Sequence, residues 1–203
     1  MLINVVSWDV KHRAPDSSAS VLTNKYRTVC DVELSFLICY ISYYFVIHLI
    51  IIYREQLRWF AAYVNKVKAD ANAILTAKIA LSSAWTTSIG TESNPYAGTF
   101  DGQNHAITGF NLTYDGGRQG LFGQTNGATI KNFSIAGTIT ANGDGGSDAG
   151  VGVIGWAESS TIQNVHSSLI VDATGTGLGS THVGGVVGPL QRCNRVERCT
   201  FSD

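Results

Sequence analysis

Gly120-Leu121-Phe122-Gly123 returns as Gly152-Val153-Ile154-Gly155 and again as Gly185-Val186-Val187-Gly188, at steps of 32 and 33 residues. A fixed period of this size signals a solenoid, in which each repeat buries its apolar face only against its neighbours. Seven or eight residues after each tetrapeptide comes a second segment. The three are Ile130-Lys131-Asn132-Phe133-Ser134-Ile135, Ile162-Gln163-Asn164-Val165-His166-Ser167 and Val196-Glu197-Arg198-Cys199-Thr200-Phe201. A fourth copy, Ile107-Thr108-Gly109-Phe110-Asn111-Leu112, lies upstream without a tetrapeptide of its own.

Aligned, these segments form columns. The first position is Ile or Val throughout. The fourth is Phe110, Phe133, Val165 and Cys199, and the sixth is Leu112, Ile135, Ser167 and Phe201. Such side chains suit a pleated, half-buried surface. The second and fifth positions are polar and face water. The third reads Gly109, Asn132, Asn164 and Arg198. Gly and Asn tolerate a left-handed backbone, and one such residue turns a strand through a tight corner. Three copies fit a corner, and Arg198 is the misfit. The pattern predicts an all-β chain, a right-handed parallel β-helix, with coils about 4.8 Å apart. Four coils would stand roughly 20 Å tall on that spacing. An antiparallel sandwich is the rival, but it gives no reason for aligned Asn/Gly corners.

The chain of 203 residues has room for one domain plus an extension. Its net charge is −1, it has no basic stripe, and a nucleic-acid partner is not expected. The 22 glycines against 3 prolines fit many tight turns, and 4 cysteines make no disulfide framework. Cys199 reads as a core residue. It would pair with Cys193 only if their Cα atoms lie within about 7 Å.

Residues 1–33 read as a polar tail. Residues 34–53, Leu34 to Tyr53, are twenty without a formal charge. As a helix they would span about 30 Å, the hydrocarbon thickness of a bilayer. Three readings stand: a signal-anchor helix, a secretory signal, or a stretch that is not native because the start codon is mis-set. The flanking charges would put the C-terminal side in the cytoplasm, against a surface location. Residues 55–69 are predicted to be an amphipathic helix, with Leu57, Phe60, Ala61, Val64 and Val67 on one face, capping the solenoid's open end. Residues 70–203 are the β-helix. Ile74 to Leu81 reads as its first strand, Trp85 as a core cover, and Asp101-Gly102 as a turn.

Gly120 to Gly123, followed by Ala128-Thr129-Ile130-Lys131-Asn132, resembles the GLUG-motif repeats of bacterial surface proteins. Tyr96 to Ile107, Leu57 to Asn65 and Asn72 to Leu81 resemble the usual lead-in to such repeats. The resemblance covers residue 55 to the end. It implies a β-helical, adhesin-like protein, or a region beside the peptidase domain of an immunoglobulin-cleaving metallopeptidase. The acids that the lead-in usually carries near Lys78 and Ala80 are absent. The third repeat is degraded and the chain stops inside it, as in a fragment of a longer repeat protein or the end of a decayed one.

Chemistry is sparse in the sequence. No His-Glu-x-x-His, Gly-x-Ser-x-Gly or phosphate loop occurs. His105, His166 and His182 are far apart, and His166 is expected to face solvent. Asp101 is a candidate half of a glycosidase carboxylate pair, but no partner acid occupies a matching position. The loop Asn142 to Asp148 resembles a calcium loop faintly and lacks its distal Glu. Trp156 and Tyr114 are candidates for stacking on sugars. The expectation is no catalytic residue, no metal and no cofactor. The repeat residues Gly109, Gly120, Gly123, Asn132, Gly152, Gly155, Asn164, Gly185 and Gly188 are expected to be structural. The expected role is adhesion or scaffolding at the cell surface or in secreted form, toward a host or environmental glycan or protein, with membrane anchoring through residues 34–53. The alternatives are a carbohydrate-active β-helix lyase or hydrolase, and the accessory region of a surface peptidase.

Overall fold

The computed structural model describes residues 48–51, 53–114, 116–141, 149–172, 182–192 and 194–202. The predicted tail at 1–33 and most of the apolar stretch, 34–47 and 52, lie outside them. Residues from His48 onward form one compact unit. It is a parallel β-solenoid of about three turns with one helix.

The chain enters the fold as strand β1 (His48–Ile51) and then α1 (Arg54–Lys66). β1 corrects one expectation. The last residues of the uncharged stretch are extended, and they pair in parallel with β2 (Asn72–Leu75), His48 opposite Asn72 and Ile51 opposite Leu75. An uncharged apolar run reads equally as helix or buried strand, and here the free edge of β2 decides. Among the described residues no helix is long and apolar enough to cross a membrane.

The face of α1 bearing Leu57, Phe60, Ala61 and Val64 is buried, as the spacing predicts, but Val67, expected on it, is exposed because the backbone leaves the helix there at the C-cap. Phe60 meets Tyr96 edge-on with ring centroids 5.9 Å apart and also touches Phe100, which packs against Phe122 and Phe133. The helix therefore closes the solenoid over an aromatic layer. It ends at Lys66 rather than 69, with Val67 as the C-cap, and Asn94 Nδ2 donates to the Val64 and Asn65 carbonyls, 2.9 and 3.1 Å away, satisfying two groups left over by the last turn.

Ile74 to Leu81 is two strands, β2 and β3 (Ile79–Ala80), since the segment between turns a corner. The long strands β4 (Thr99–Tyr114), β7 (Thr129–Ala141) and β10 (Thr161–Asp172) form the main sheet, continued by β13 (Arg195–Glu197) and β14 (Thr200–Phe201). A second sheet stacks β5 (Arg118–Gln119), β8 (Gly150–Val151) and β11 (His182–Val183). A third stacks β6 (Phe122–Asn126), β9 (Ile154–Glu158) and β12 (Leu190–Gln191). Every pairing between these strands is parallel.

The register of the last three copies is the one the sequence columns require. Ile130 lies on Ile162 and Ile162 on Val196; Phe133 lies on Val165 and Ile135 on Ser167. Phe122 lies on Ile154, which bridges to Val187. The corner is left-handed in each, with φ of 59° at Asn132, 53° at Asn164 and 49° at Arg198. Arg198 thus takes the corner although arginine does not favour a left-handed backbone, because the ladder on either side fixes the path.

The upstream copy is corrected. Phe100, not Ile107, lies on Ile130, and Ile107 lies on Ile135. The cause is the stretch Gly102-Gln103-Asn104, three residues opposite the single Asn132, with both Gln103 (φ 50°) and Asn104 (φ 61°) left-handed. The corner is there, two residues past the predicted Asp101-Gly102 turn. Gly109 (φ 69°) belongs to another corner, pressed on Leu81, where a Cβ would stand 2.3 Å from the Leu81 carbonyl oxygen. The first coil also has its tetrapeptide equivalent after all. Ile89 bridges to Phe122, and the Gly123 N–H donates to the Ile89 carbonyl at 3.0 Å.

The repeat glycines stand in two columns. A Cβ on the second glycine of each tetrapeptide would strike the preceding coil: Gly123 the Gly90 oxygen at 2.5 Å, Gly155 the Gly123 oxygen at 2.8 Å, Gly188 the Gly155 oxygen at 2.5 Å. A Cβ on the first glycine would strike the following coil: Gly120 the Gly152 oxygen at 2.4 Å and Gly152 the Gly184 oxygen at 2.6 Å. At Gly185 the nearest obstacle is instead the Phe201 side chain, its ring at 2.2 Å and its Cβ at 2.9 Å. The period therefore records where coil backbones touch.

In the last coil the columns lose their cover. Val183, Leu190, Val196 and Phe201 are exposed, although Val151, Ala157, Ile162 and Ser167 beneath them are buried. Cys199 is half-buried against this cluster. Cys193 lies outside the described residues, and with it the Cys193–Cys199 question.

Candidate functional site

Side chains at the main-sheet corner meet their counterparts one coil away, and in one case two coils away. Asn132 Nδ2 donates to Asp101 Oδ1 at 3.1 Å, and Asn164 Nδ2 donates to Asn132 Oδ1 at 3.1 Å and Asn104 Oδ1 at 3.3 Å. His166 lies beside Asn164, exposed as predicted. Its Nε2 is 3.1 Å from Asn164 Oδ1 and its Nδ1 is 2.6 Å from Thr200 Oγ1, so a neutral ring protonated at Nε2 satisfies both. The sequence offered Asn132 and Asn164 as corner formers only. That they form a ladder with Asp101 depends on coil stacking and was not legible. Asn104 was missed because its coil was out of register.

Asp101 is largely buried. Oδ1 accepts the Gln103 N–H at 3.0 Å, and Oδ2 is 3.3 Å from Lys131 Nζ. Burial raises its pKa. The Gln103 N–H, the Asn132 amide and the Lys131 ammonium together outweigh burial and hold the carboxyl below its ordinary 3.8. A carboxyl held ionised by three donors is a poor general acid. A depressed native pKa adds stability that is present above the unfolded-state value and is lost as pH falls through the native value. Thermal melting should therefore weaken as pH drops below about 4, and the Asp101→Asn protein should lose part of that slope. Parallel slopes for the two proteins between pH 5 and 2 would show that Asp101 contributes nothing to it.

Trp156 and Tyr114 are buried and present no face to a sugar, which corrects that expectation. Trp156 is covered by the Arg118 guanidinium, 4.1 Å above its ring, which also donates to Gln124 and lies 3.7 Å from Glu92. Trp85 covers the core as predicted, and its Nε1 donates to the Gly120 carbonyl at 3.1 Å. The Asn142 to Asp148 loop lies outside the described residues. Of the histidines, His166 joins the ladder, while His105 sits on β4 and His182 on β11. Among the described residues no three His, Cys, Asp or Glu side chains gather as a metal site.

A cleft of about 540 Å³ opens between α1 and the first coil, lined by Asn65, Thr86, Thr91, Glu92, Arg118 and Gln119 among others. Asn65 is structural there: its Oδ1 accepts the Gly90 N–H at 2.8 Å and its Nδ2 donates to the Ser88 carbonyl at 2.9 Å. The cleft offers hydroxyls, an amide and one exposed carboxylate, groups that hold polar ligands by hydrogen bonds. No protein-family model, no curated protein and no solved structure matches this chain.

Proposed function

We propose that the chain is a non-catalytic, right-handed β-helical segment of a bacterial cell-surface or secreted protein, related to the GLUG-motif repeats, with an adhesive or scaffolding role. The hand is the one that parallel crossovers adopt. The observation that carries the reading is the use of the outward polar groups. Asp101, Asn132, Asn164 and His166 hydrogen-bond to neighbouring coils and hold the stack together. A stiff stack of this kind supports a binding surface for a host or environmental glycan or protein.

The test is protease shaving of intact cells expressing the chain with an epitope tag after Asp203. Loss of the tag from unbroken cells is the expected result. Protection until lysis would place the solenoid inside and end the surface reading. The cleft beside α1 supports a second reading, a carbohydrate-active enzyme. That reading requires turnover of a polysaccharide that disappears in the Glu92→Gln protein. An accessory role beside a surface peptidase requires a zinc domain encoded past codon 203.

A further inference from the structure

Among the described residues the exposed large apolar side chains stand at the two ends of the solenoid, apart from Ile170 on β10. At the helix end they are Tyr53, Trp59 and Val67, 52%, 41% and 70% exposed. Trp59 is the one described tryptophan that is not buried. Its ring stacks on Tyr63, one turn along α1, with centroids 4.9 Å apart and planes at 14°. Tyr53 and Val67 flank the two ends of α1, whereas Trp59 stands on the helix itself, beside the partly buried Tyr63.

Charge is concentrated at the same end. From Arg54 to Asp70 there are four basic and two acidic residues, net +2; from Ala71 to Asp203 there are six and nine, net −3. Arg54 and Lys68 pair with Glu55 and Asp70 at 2.6 and 2.9 Å, on exposed side chains that water and salt readily separate. Arg58 donates to the carbonyls of Ser83 and Ala84 and lies over the Trp85 ring, 5.4 Å from its centroid, so it is held against the solenoid rather than offered outward. Lys66 stands on the last turn beside Tyr63.

The sequence ahead of the fold adds a third observation. With His48–Ile51 committed to β1, the uncharged run preceding it is Leu34 to Ile47, 14 residues. As a helix that run would reach about 21 Å, short of the roughly 30 Å of a bilayer core, a length suited to an interface rather than a span.

We propose that the outward face of α1, centred on the Trp59–Tyr63 stack and flanked by Arg54, Lys66 and Lys68, seats on an anionic lipid surface. Indole and phenol rings favour the headgroup level, where an apolar body and a polar edge are both satisfied. Lysine and arginine beside them are drawn to anionic headgroups and keep their ammonium and guanidinium ends in water. The inference stands whether or not the solenoid is adhesive. In a surface protein it would fix the capped end at the membrane and direct the open end outward.

The test uses the full chain carrying Trp8→Phe, so that membrane-accessible emission comes from Trp59 while Trp85 and Trp156 stay buried. It is mixed with vesicles of phosphatidylcholine and phosphatidylglycerol in which the phosphatidylcholine carries bromine on its acyl chains. Bromine should quench part of the emission, and the quenching should vanish when Trp59→Phe is added. Lys66→Ala with Lys68→Ala should weaken binding to unlabelled vesicles of the same composition roughly tenfold, and raising the salt should weaken it further. Circular dichroism identical to the parent excludes misfolding of these surface variants. Vesicle binding with Trp59 unquenched would overturn the proposal, because attachment would then run through another part of the chain. Failure to bind vesicles would overturn it too, as would a Trp59 emission shift caused by a soluble polysaccharide and not by vesicles.

Discussion

Gly155→Ala should lower the melting temperature by about 10 °C or prevent folding. A Cβ there would stand 2.6 Å from the Gln119 nitrogen, 2.8 Å from the Gly123 oxygen and 2.9 Å from the Arg118 carbonyl carbon. All three are backbone atoms of the preceding coil, whose strands are held at about 4.8 Å by parallel ladders on two sheets. The added methyl has no side chain to push aside, so the coils must separate and weaken the ladders. Overpacking in a yielding core costs about 1–3 kcal/mol, and here the figure is expected at or above the upper end. At about 2–4 °C per kcal/mol for a domain of this size, the fall follows. Gly185→Ala is the contrast. Its Cβ meets one side chain instead of backbone, the ring and Cβ of Phe201 at 2.2 to 2.9 Å, on a last strand that is about half exposed and has no described coil above it to resist a shift. That variant should lose clearly less than Gly155→Ala, about 1 kcal/mol, the scale of a side chain driven off its rotamer. Equal losses in paired thermal melts would refute the account of the glycine columns.

Asn132→Val should destabilise by about 2–4 kcal/mol, through two separable causes. A left-handed backbone costs a residue with a Cβ roughly 1–2 kcal/mol, and a β-branched side chain is the worst placed to accept it. The substitution also removes the amide that donates to Asp101 and accepts from Asn164, about 0.5–1.5 kcal/mol for each bond. Asn132→Gly keeps the corner and loses the ladder, so it should fall between the valine variant and the parent. Lys131→Val, one residue away, should cost under about 1 kcal/mol, since it loses only a partly exposed ion pair with Asp101. If Asn132→Val and Lys131→Val melted alike, the corner would not be at Asn132.

Parallel stacking, the columns Ile130–Ile162–Val196 and Phe133–Val165, and the corners at Asn132 and Asn164 were all written in the sequence. The reason is that a solenoid repeats one local environment. Each coil asks for the same residue at the same place, and the chain answers every 32 or 33 residues. The glycines were readable as repeats but not as contacts. A period shows that Gly120 and Gly152 are alike, and only the stacked backbones show that one would collide with the other.

Where the repeat breaks, periodicity was silent and tertiary structure decided. Ile107 to Leu112 has the alternation of the later copies, yet Phe100 takes the place opposite Ile130, because a strand pattern with period two cannot count the extra residues Gln103 and Asn104 at a corner. Ser88-Ile89-Gly90 carries one glycine where later coils carry two, so the repeat pattern does not contain it, and only the bridge from Ile89 to Phe122 shows its place. His48–Ile51 gave the clearest reversal: the same uncharged residues suit a membrane helix or a sheet edge, and the free edge of β2 made them a strand. The sequence by itself determined what one coil is, because that depends on neighbours a fixed period away. Which residues start the stack, and which side chains of successive coils meet in the Asp101–Asn132–Asn164 ladder, depended on contacts between segments that share no pattern.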